Sequence, residues 1–421
     1  MTISAIAPTP AALLRLSARL ALDGGAGAAG GAEAEKGRIW QGDGRQDIAA
    51  GDRLLAVAAM HGMRPLLYRF LSGAEDVRQT SVCRGLPDAA DYGAGDKLKF
   101  VGHVTSILQE FTRQNLKKNM QMTGELILLL RLFAGQGVNV IPFKGPTLAA
   151  LAYGDLGLRE FGDLDLLIGR RDFMKAQESL IARGYQPEVL LNSKQAAAFS
   201  EACNVMAFWH AEKEISVELH WELSPKYLPF SPDPGRLWER MTPSHPGGQT
   251  VMTLSPEDLL VYLCAHGAKH VWEKLIWIVD VGGLLHRHPN LDWDRVCELS
   301  AEQRCERILF LGLRLARDVT GASAPPEIEK LMESDNESER LAAKVVERLF
   351  FDSGAQRAPS ADGLFIFRLQ RRWPDKIRSF IRMAITPSAA DWLSFPNLRQ
   401  FVWMYPLLRP LRLMGKLASR R

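Results

Sequence analysis

The apolar pattern of this chain changes period twice, and that change limits the fold more than any other feature. From 97 to 134 apolar residues recur at helical spacing, and Gly135 and Gly137 end the run. Short β-branched or alternating runs then follow at 138–143, 164–168, 189–191, 204–209 and 215–221. A helix is expected at 172–183, with Gly184 as its C-cap. After a Pro- and Gly-rich stretch at 225–248 the helical period returns at Ser255-Pro256-Glu257-Asp258, which reads as N-cap, first-turn proline and first-turn acids. Helices are expected near 256–269, 272–287, 292–319, 326–350, 363–384 and 395–405. A sheet of about four or five strands must therefore come from one central segment and be covered by helices from both ends of the chain. The expected fold class is α+β.

This pattern divides the 421 residues into five parts. Residues 1–47 hold an N-terminal helix near 10–20 and a flexible Ala/Gly-rich linker at 21–36. Residues 48–135 are an N-terminal helical region. Residues 136–250 are the α/β core, 251–360 a helical domain, and 361–421 a basic helical segment.

Composition narrows the function classes. Hydrophobic residues at 47% and charged residues at 24% exclude wholesale disorder and a fibrous repeat. The five cysteines (83, 203, 264, 297, 305) are scattered and form no CxxC pair, so neither a disulfide framework nor a zinc ribbon is expected. The apolar run at 126–133 is short and broken by Arg131, so no transmembrane segment is expected. No basic stretch precedes an apolar one at the N-terminus, and the expected location is cytoplasmic. The net charge of +4 conceals an asymmetry. Residues 361–421 carry twelve Lys/Arg against three Asp, a net of +9, so the first 360 residues carry −5.

The most informative chemistry lies in 138–168. Asp163 and Asp165 stand two apart in a strand with Leu164, Leu166 and Leu167, so alternation puts both carboxylates on one face. Two like charges side by side are unfavourable without a cation. Mg²⁺ resolves the repulsion, because it takes oxygen ligands and shares them with substrate phosphates. In 215–221 Glu218 and His220 share one face of another strand, and a neighbouring position would let Glu218 complete a three-carboxylate cluster. Such a cluster holds two metals about 3.5–4 Å apart and clamps an in-line phosphoryl displacement. Lys144-Gly145 sits between the first strand and a helical turn. Glycine there admits a phosphate close to the backbone, Lys144 adds a point charge, and Arg159 adds a fork suited to phosphate oxygens. The GxxxxGK[ST] spacing of a P-loop is absent.

The order strand, Lys144-Gly145, Tyr153, Arg159, Asp163-Leu164-Asp165 and then Glu218-Leu219-His220-Trp221 resembles the uncharacterised nucleotidyltransferase family of bacterial biosynthetic clusters. That family belongs to the DNA polymerase β-like nucleotidyltransferase superfamily. The resemblance takes in residues 58–67 (AAMHGMRPLL), 264–272 (CAHGAKHVW) and 277–280 (WIVD), and covers about 50–290. It implies a polymerase β-like core with an N-terminal helical cap and a C-terminal helical region. It also implies Mg²⁺ or Mn²⁺ on Asp163, Asp165 and Glu218, and an NTP as co-substrate, with ATP among the nucleotides expected to bind and the base left open. Lys144, Gly145, Thr147 and Arg159 would then contact the nucleotide. The implied reaction moves an NMP group to an acceptor hydroxyl with loss of pyrophosphate. The acceptor would be a small molecule or biosynthetic intermediate; a protein or peptide hydroxyl, or a retired fold acting as a binding protein, are the alternatives. One departure is visible. The superfamily has Gly-Ser after the first strand, whereas here Lys144-Gly145-Pro146-Thr147 precedes the Asp pair, with Asp163 eighteen residues past Gly145.

Other residues have plainer readings beside functional ones. His220 is either structural or a substrate contact. His266 and His270, i and i+4 on one helix face, line the cleft or pack; Gly267 replaces the Glu of a zinc hydrolase motif. Asp280 lies in an apolar helix and needs a buried partner. The basic C-terminal end mixes with Trp373, Phe380, Trp403 and Tyr405; it reads first as a solvated helical face, with peripheral contact with an anionic membrane as the functional alternative. Pro406 and Pro410 are expected to interrupt a long helix there, and nucleic acid is not the expected partner.

Overall fold

The computed structural model describes residues 17–18, 47–76, 94–350, 359–395 and 402–418. Apart from Ser17 and Ala18, the expected N-terminal helix lies outside these residues, as do the linker at 21–36 and part of the final 395–405 helix.

The chain opens with three helices, α1 (Asp47–His61), α2 (Arg64–Asp76) and the long α3 (Ala94–Gly135). The α/β segment follows: β1 (Val140–Pro142), β2 (Asp163–Ile168), α4 (Phe173–Ala182), β3 (Gln186–Pro187), α5 (Ser193–Ala202), β4 (Val205–His210) and β5 (Ile215–His220). These strands form one mixed sheet in the order β1-β2-β5-β4-β3, in which β2 and β5 are parallel and the other pairs antiparallel. A short helix α6 (Pro234–Glu239) and a hairpin of β6 (Thr242–Ser244) and β7 (Val251–Thr253) lead to the helical domain. Its helices are α7 (Pro256–Lys269), α8 (Leu275–Arg287), α9 (Trp293–Glu302), α10 (Glu306–Thr320), α11 (Pro326–Glu333) and α12 (Asn336–Phe350). The C-terminal segment carries α13 (Pro359–Leu369), α14 (Trp373–Ile385), α15 (Ala389–Ser394) and α16 (Tyr405–Ala418).

The expected α+β class and the five-stranded mixed sheet are as observed. Three local expectations are corrected. The strand at 189–191 is instead β3 at Gln186–Pro187, and Leu190 is exposed. Pro187 has no N–H to donate, so this edge strand stays short. The single helices at 292–319, 326–350 and 363–384 are each two, α9 with α10, α11 with α12 and α13 with α14. Arg304, in the first break, takes a positive φ that no helix accommodates. Near the end, α16 runs through both prolines. Pro406 sits in the first turn, where its missing N–H costs nothing, and only Pro410 forfeits a helical bond.

Alternation gives the sheet two unlike faces. Leu164, Leu166 and Ile168 of β2 join Val217 and Leu219 of β5 in a core against the C-terminal half of α3, with α4 and α5. The opposite face turns Leu167, with Ile141 and Phe143, toward the helical-domain core that includes Leu254, Tyr262 and Leu284. The long helix α3 contributes to both, through Val104 and Leu108 on one side and Leu126, Leu129 and Phe133 on the other. It also fixes the loop before β2, since Asn115 Nδ2 donates to the carbonyls of Gly157 and Arg159, and Asn119 Nδ2 to those of Leu156 and Arg159.

A buried ion pair ties this loop to the helical domain. Arg159 donates from Nε and Nη2 to the two carboxylate oxygens of Asp280 on α8, at 2.8 and 3.0 Å, and the Tyr153 hydroxyl donates to Asp280 Oδ1 at 2.7 Å. This is the partner that Asp280 requires. Removing one member of a buried pair strands the other's charge, at a cost of about 3–5 kcal/mol. Asp280→Ala is therefore expected to lower unfolding free energy by about that amount, read as a lower urea midpoint in equilibrium denaturation.

Candidate active site

The parallel pairing of β2 with β5 builds the site. Its register sets Asp163 opposite Ser216, Asp165 opposite Glu218 and Leu167 opposite His220. Two acids on β2 and one on β5 thus share the sheet face that looks toward α7. The ligand atoms of Asp165, Glu218 and His220 lie within 4.8 Å of one another. Asp163 stands outside this tightest group, on the same face of β2.

A positive frame answers the negative charge. Lys144 leaves the end of β1 and puts Nζ 2.7 Å from Asp165 Oδ1, with its side chain 12% exposed. His220 Nε2 lies 3.2 Å from Asp165 Oδ1 and 3.1 Å from Glu218 Oε2. Both neighbours are carboxylates and accept only, so Nε2 carries the proton. Gly145 is required by two constraints. Its φ is +54°, and a Cβ there would meet the Asp163 carbonyl oxygen at 3.0 Å.

The electrostatics follow from these distances. Burial pushes the Asp165 carboxyl up, but Lys144 and His220 outweigh it and hold it below the ordinary range. Burial likewise works against charge on Lys144, and Asp165 wins, raising it. Glu218 is lowered because the His220 hydrogen bond overcomes its burial, and the same bonds from Asp165 and Glu218 raise His220 despite its burial. The Asp165 charge first and burial second raise Asp163 to about 6; the charges of Lys144 and Arg159 pull the other way but are outweighed.

The helical domain supplies the opposite wall. Phe143 packs edge-on against His220 and against Tyr262 of α7, at ring distances of 5.2 and 5.1 Å. Tyr262, His266 and His270 follow at i, i+4 and i+8 on one helix face, and Trp277 of α8 closes on both histidines at 5.3 and 5.1 Å. Burial, then Lys144, keeps His266 far below the usual histidine value. Burial, then Lys269, brings His270 down to about 3, so both rings are neutral. Lys269 belongs to the same turn and is half-buried. It has no hydrogen bond or ion pair among the described residues, and Lys144, Glu218 and Asp165 are the charges that act on it.

The structure therefore brings together Lys144, Gly145, Asp163, Asp165, Glu218 and His220, with His266 and His270 on the facing wall. It occupies Arg159 with Asp280. Thr147 is buried, and its hydroxyl donates to the Lys144 carbonyl at 2.9 Å. The residue that sequence reasoning passed over as a site candidate is Lys269. The signal was present, since it lies three residues past His266 and one before His270.

The donor set suits a hard divalent cation. Asp165 Oδ2 is buried with no hydrogen-bond partner, an orphaned carboxylate oxygen in a cluster of acids. A family model described as an uncharacterised nucleotidyltransferase matches residues 49–321, more than half of the chain. The chain belongs to this family. No curated protein matches it, and no solved structure does. As a nucleotidyltransferase it is a transferase, and the matched residues contain both walls of the site.

The upstream segment within the match has a structural role. Arg64 donates to Glu160 from its backbone N–H, Nε and Nη2, at 3.2, 3.1 and 2.5 Å, and stacks on Phe111. His61 Nδ1 accepts from the Leu275 N–H at 3.3 Å. These contacts clasp the loop before β2 and the start of α8 from behind.

The raised Asp163 carboxyl gives a pH prediction for the metal-free protein. Between about pH 4 and 6 the folded chain keeps a proton that the unfolded chain has released, so stability falls as pH rises through that window and the deficit persists above it. Asp163→Asn removes the deficit. It is expected to raise unfolding free energy at pH 7 by about 1–3 kcal/mol and to flatten this window in urea denaturation followed against pH.

Proposed function

We propose that this nucleotidyltransferase moves an NMP group from an NTP, with Mg²⁺ or Mn²⁺, to the hydroxyl of a small acceptor. The orphaned Asp165 Oδ2 inside an acidic cluster is the observation that carries the reading. A divalent cation on Asp163, Asp165 and Glu218 supplies charge neutralisation at the triphosphate and a lower pKa for the acceptor hydroxyl.

The protein's own groups have distinct tasks. Lys144 neutralises Asp165 in the free protein and turns to phosphate oxygens in the complex. Gly145 lets the backbone approach those oxygens closely. Lys269 faces the cluster from α7 and stabilises charge on the departing pyrophosphate. His220 holds Asp165 and Glu218 in place through one shared proton. Glu218, whose side chain is 32% exposed, has one oxygen free of hydrogen bonds among the described residues, and it takes the acceptor's proton there only when that oxygen is not on the metal. Arg159 acts through position, since its guanidinium is held by Asp280.

The closed wall supports a small acceptor over a protein. Tyr262 is buried over the sheet face, and Lys144 and His220 are nearly so. Neutral His266 and His270, set at 82° and 39° to the Trp277 ring, form an uncharged aromatic wall suited to a base or acceptor ring.

Calorimetric titration with ATP, GTP, CTP and UTP, with and without Mg²⁺, tests this reading. One NTP is expected to bind only with Mg²⁺, and Asp163→Asn/Glu218→Gln is expected to abolish that binding. Lys269→Ala removes a charged contact and should weaken affinity roughly ten- to a hundred-fold. Metal-independent binding of equal strength in wild type and the double variant would contradict the proposal.

A further inference from the structure

The family match ends at residue 321, and the basic C-terminal helices lie beyond it. Helix α14 is oriented in an unusual way. Its apolar residues Trp373, Ile377, Phe380 and Ile381 fall on one arc of the helix, and all are exposed, Trp373 by 67% and Phe380 by 58%. An amphipathic helix ordinarily turns that arc toward a core. Here the opposite side packs inward, where Ser379 is buried and its hydroxyl donates to the Tyr227 carbonyl. The two helices packed on α14 expose apolar residues as well. Leu364 projects from α13, and Trp403, Leu407 and Leu411 recur every four residues into and along α16.

The charge around this face is predominantly positive. Arg371, Arg372, Arg378 and Arg382 are exposed beside the apolar arc. Asp375, the one acid of α14, is drawn to Arg304 and Arg378. Asp391 is buried between Arg409 and Arg412 and shows no charge to solvent. The exposed arginines are only loosely paired: Arg371 lies 3.6 Å from Glu306, Arg378 lies 3.4 Å from Asp375, and Arg382 donates to the Lys226 carbonyl at 3.1 Å, a neutral partner that leaves its charge uncompensated. In the sequence, residues 361–421 carry a net +9 against −5 on the rest, so the C-terminal segment is the basic part of the chain.

We infer that α13, α14 and α16 form a docking surface for an anionic lipid bilayer. Tryptophans bracket the apolar residues, and indole rings settle at the level of lipid headgroups. Aliphatic and phenyl groups between them enter the acyl boundary, and the flanking arginines meet anionic headgroups. No helix among the described residues is long and apolar enough to cross a membrane, so the contact lies in the plane of the surface. A second copy of this chain would bring +9 against +9, which opposes self-association through this face.

Co-sedimentation of the full chain with phosphatidylcholine vesicles, with and without phosphatidylserine, is the test. Wild type is expected to pellet with the anionic vesicles, less so as salt is added. Ile377→Glu/Phe380→Glu should remain in the supernatant. Arg378→Gln/Arg382→Gln should bind more weakly by about five-fold per charge removed. All these residues are exposed, and unchanged thermal melts would show that the fold is intact. Absence of vesicle binding by wild type, or equal binding by the Glu variant, would overturn the inference. So would a concentration-dependent dimer that the Glu variant abolishes without any vesicle binding, since the face would then join two copies.

Discussion

Repulsion among buried carboxylates governs this structure. The parallel register of β2 and β5 forces Asp165 beside Glu218, and Asp163 lies two residues away on the same face. Such a cluster opposes folding unless positive charge is built around it. Lys144 and His220 perform that task, with contacts of 2.7 to 3.2 Å. The compensation is incomplete. Asp163 keeps a raised carboxyl, and one oxygen of Asp165 has no partner. In the proposed function a divalent cation would relieve this tension, so that stability given up in the free protein would return as affinity in the complex.

The helical domain completes what the sheet begins. The Arg159–Asp280 pair with Tyr153 fixes the loop before β2 against α8, and α3 fixes the same loop through two asparagines. Phe143 then bridges His220 to Tyr262, which sets the register of α7 over the acids. Lys269 arrives opposite the carboxylates as a consequence of that packing. The site thus lies between two cores, with acids on the sheet and neutral rings and Lys269 on the helices.

Much of this was legible in the sequence, and the rest was hidden for physical reasons. Strict alternation in 163–168 and 215–220 assigns faces without tertiary information, so the acid pair and Glu218 could be read directly. The partner of Arg159 could not, because Asp280 is 121 positions away and only the docking of α8 brings it near. Reading Arg159 as a phosphate ligand was reasonable for its chemistry, yet the guanidinium is already engaged. Lys269 stood in view beside His266 and His270 but could not be weighed as a site residue. A lysine near a helix C-terminus is ordinary until the helix is known to lie over a carboxylate cluster. The exposed arc of α14 was readable only as amphipathic, because periodicity reveals an apolar face and not which way it turns.

The central claim is that the carboxylates of β2 and β5 form a cation site in which Lys144 stands in for the metal. Crystals soaked in Mn²⁺ with a non-hydrolysable NTP analogue, measured at the manganese edge, test it most directly. The expected result is an anomalous peak against Asp165 and its neighbouring acids, with Lys144 moved off Asp165 Oδ1 toward phosphate oxygens. A structure with the nucleotide bound elsewhere, no manganese at these acids and the Lys144–Asp165 pair intact would contradict it.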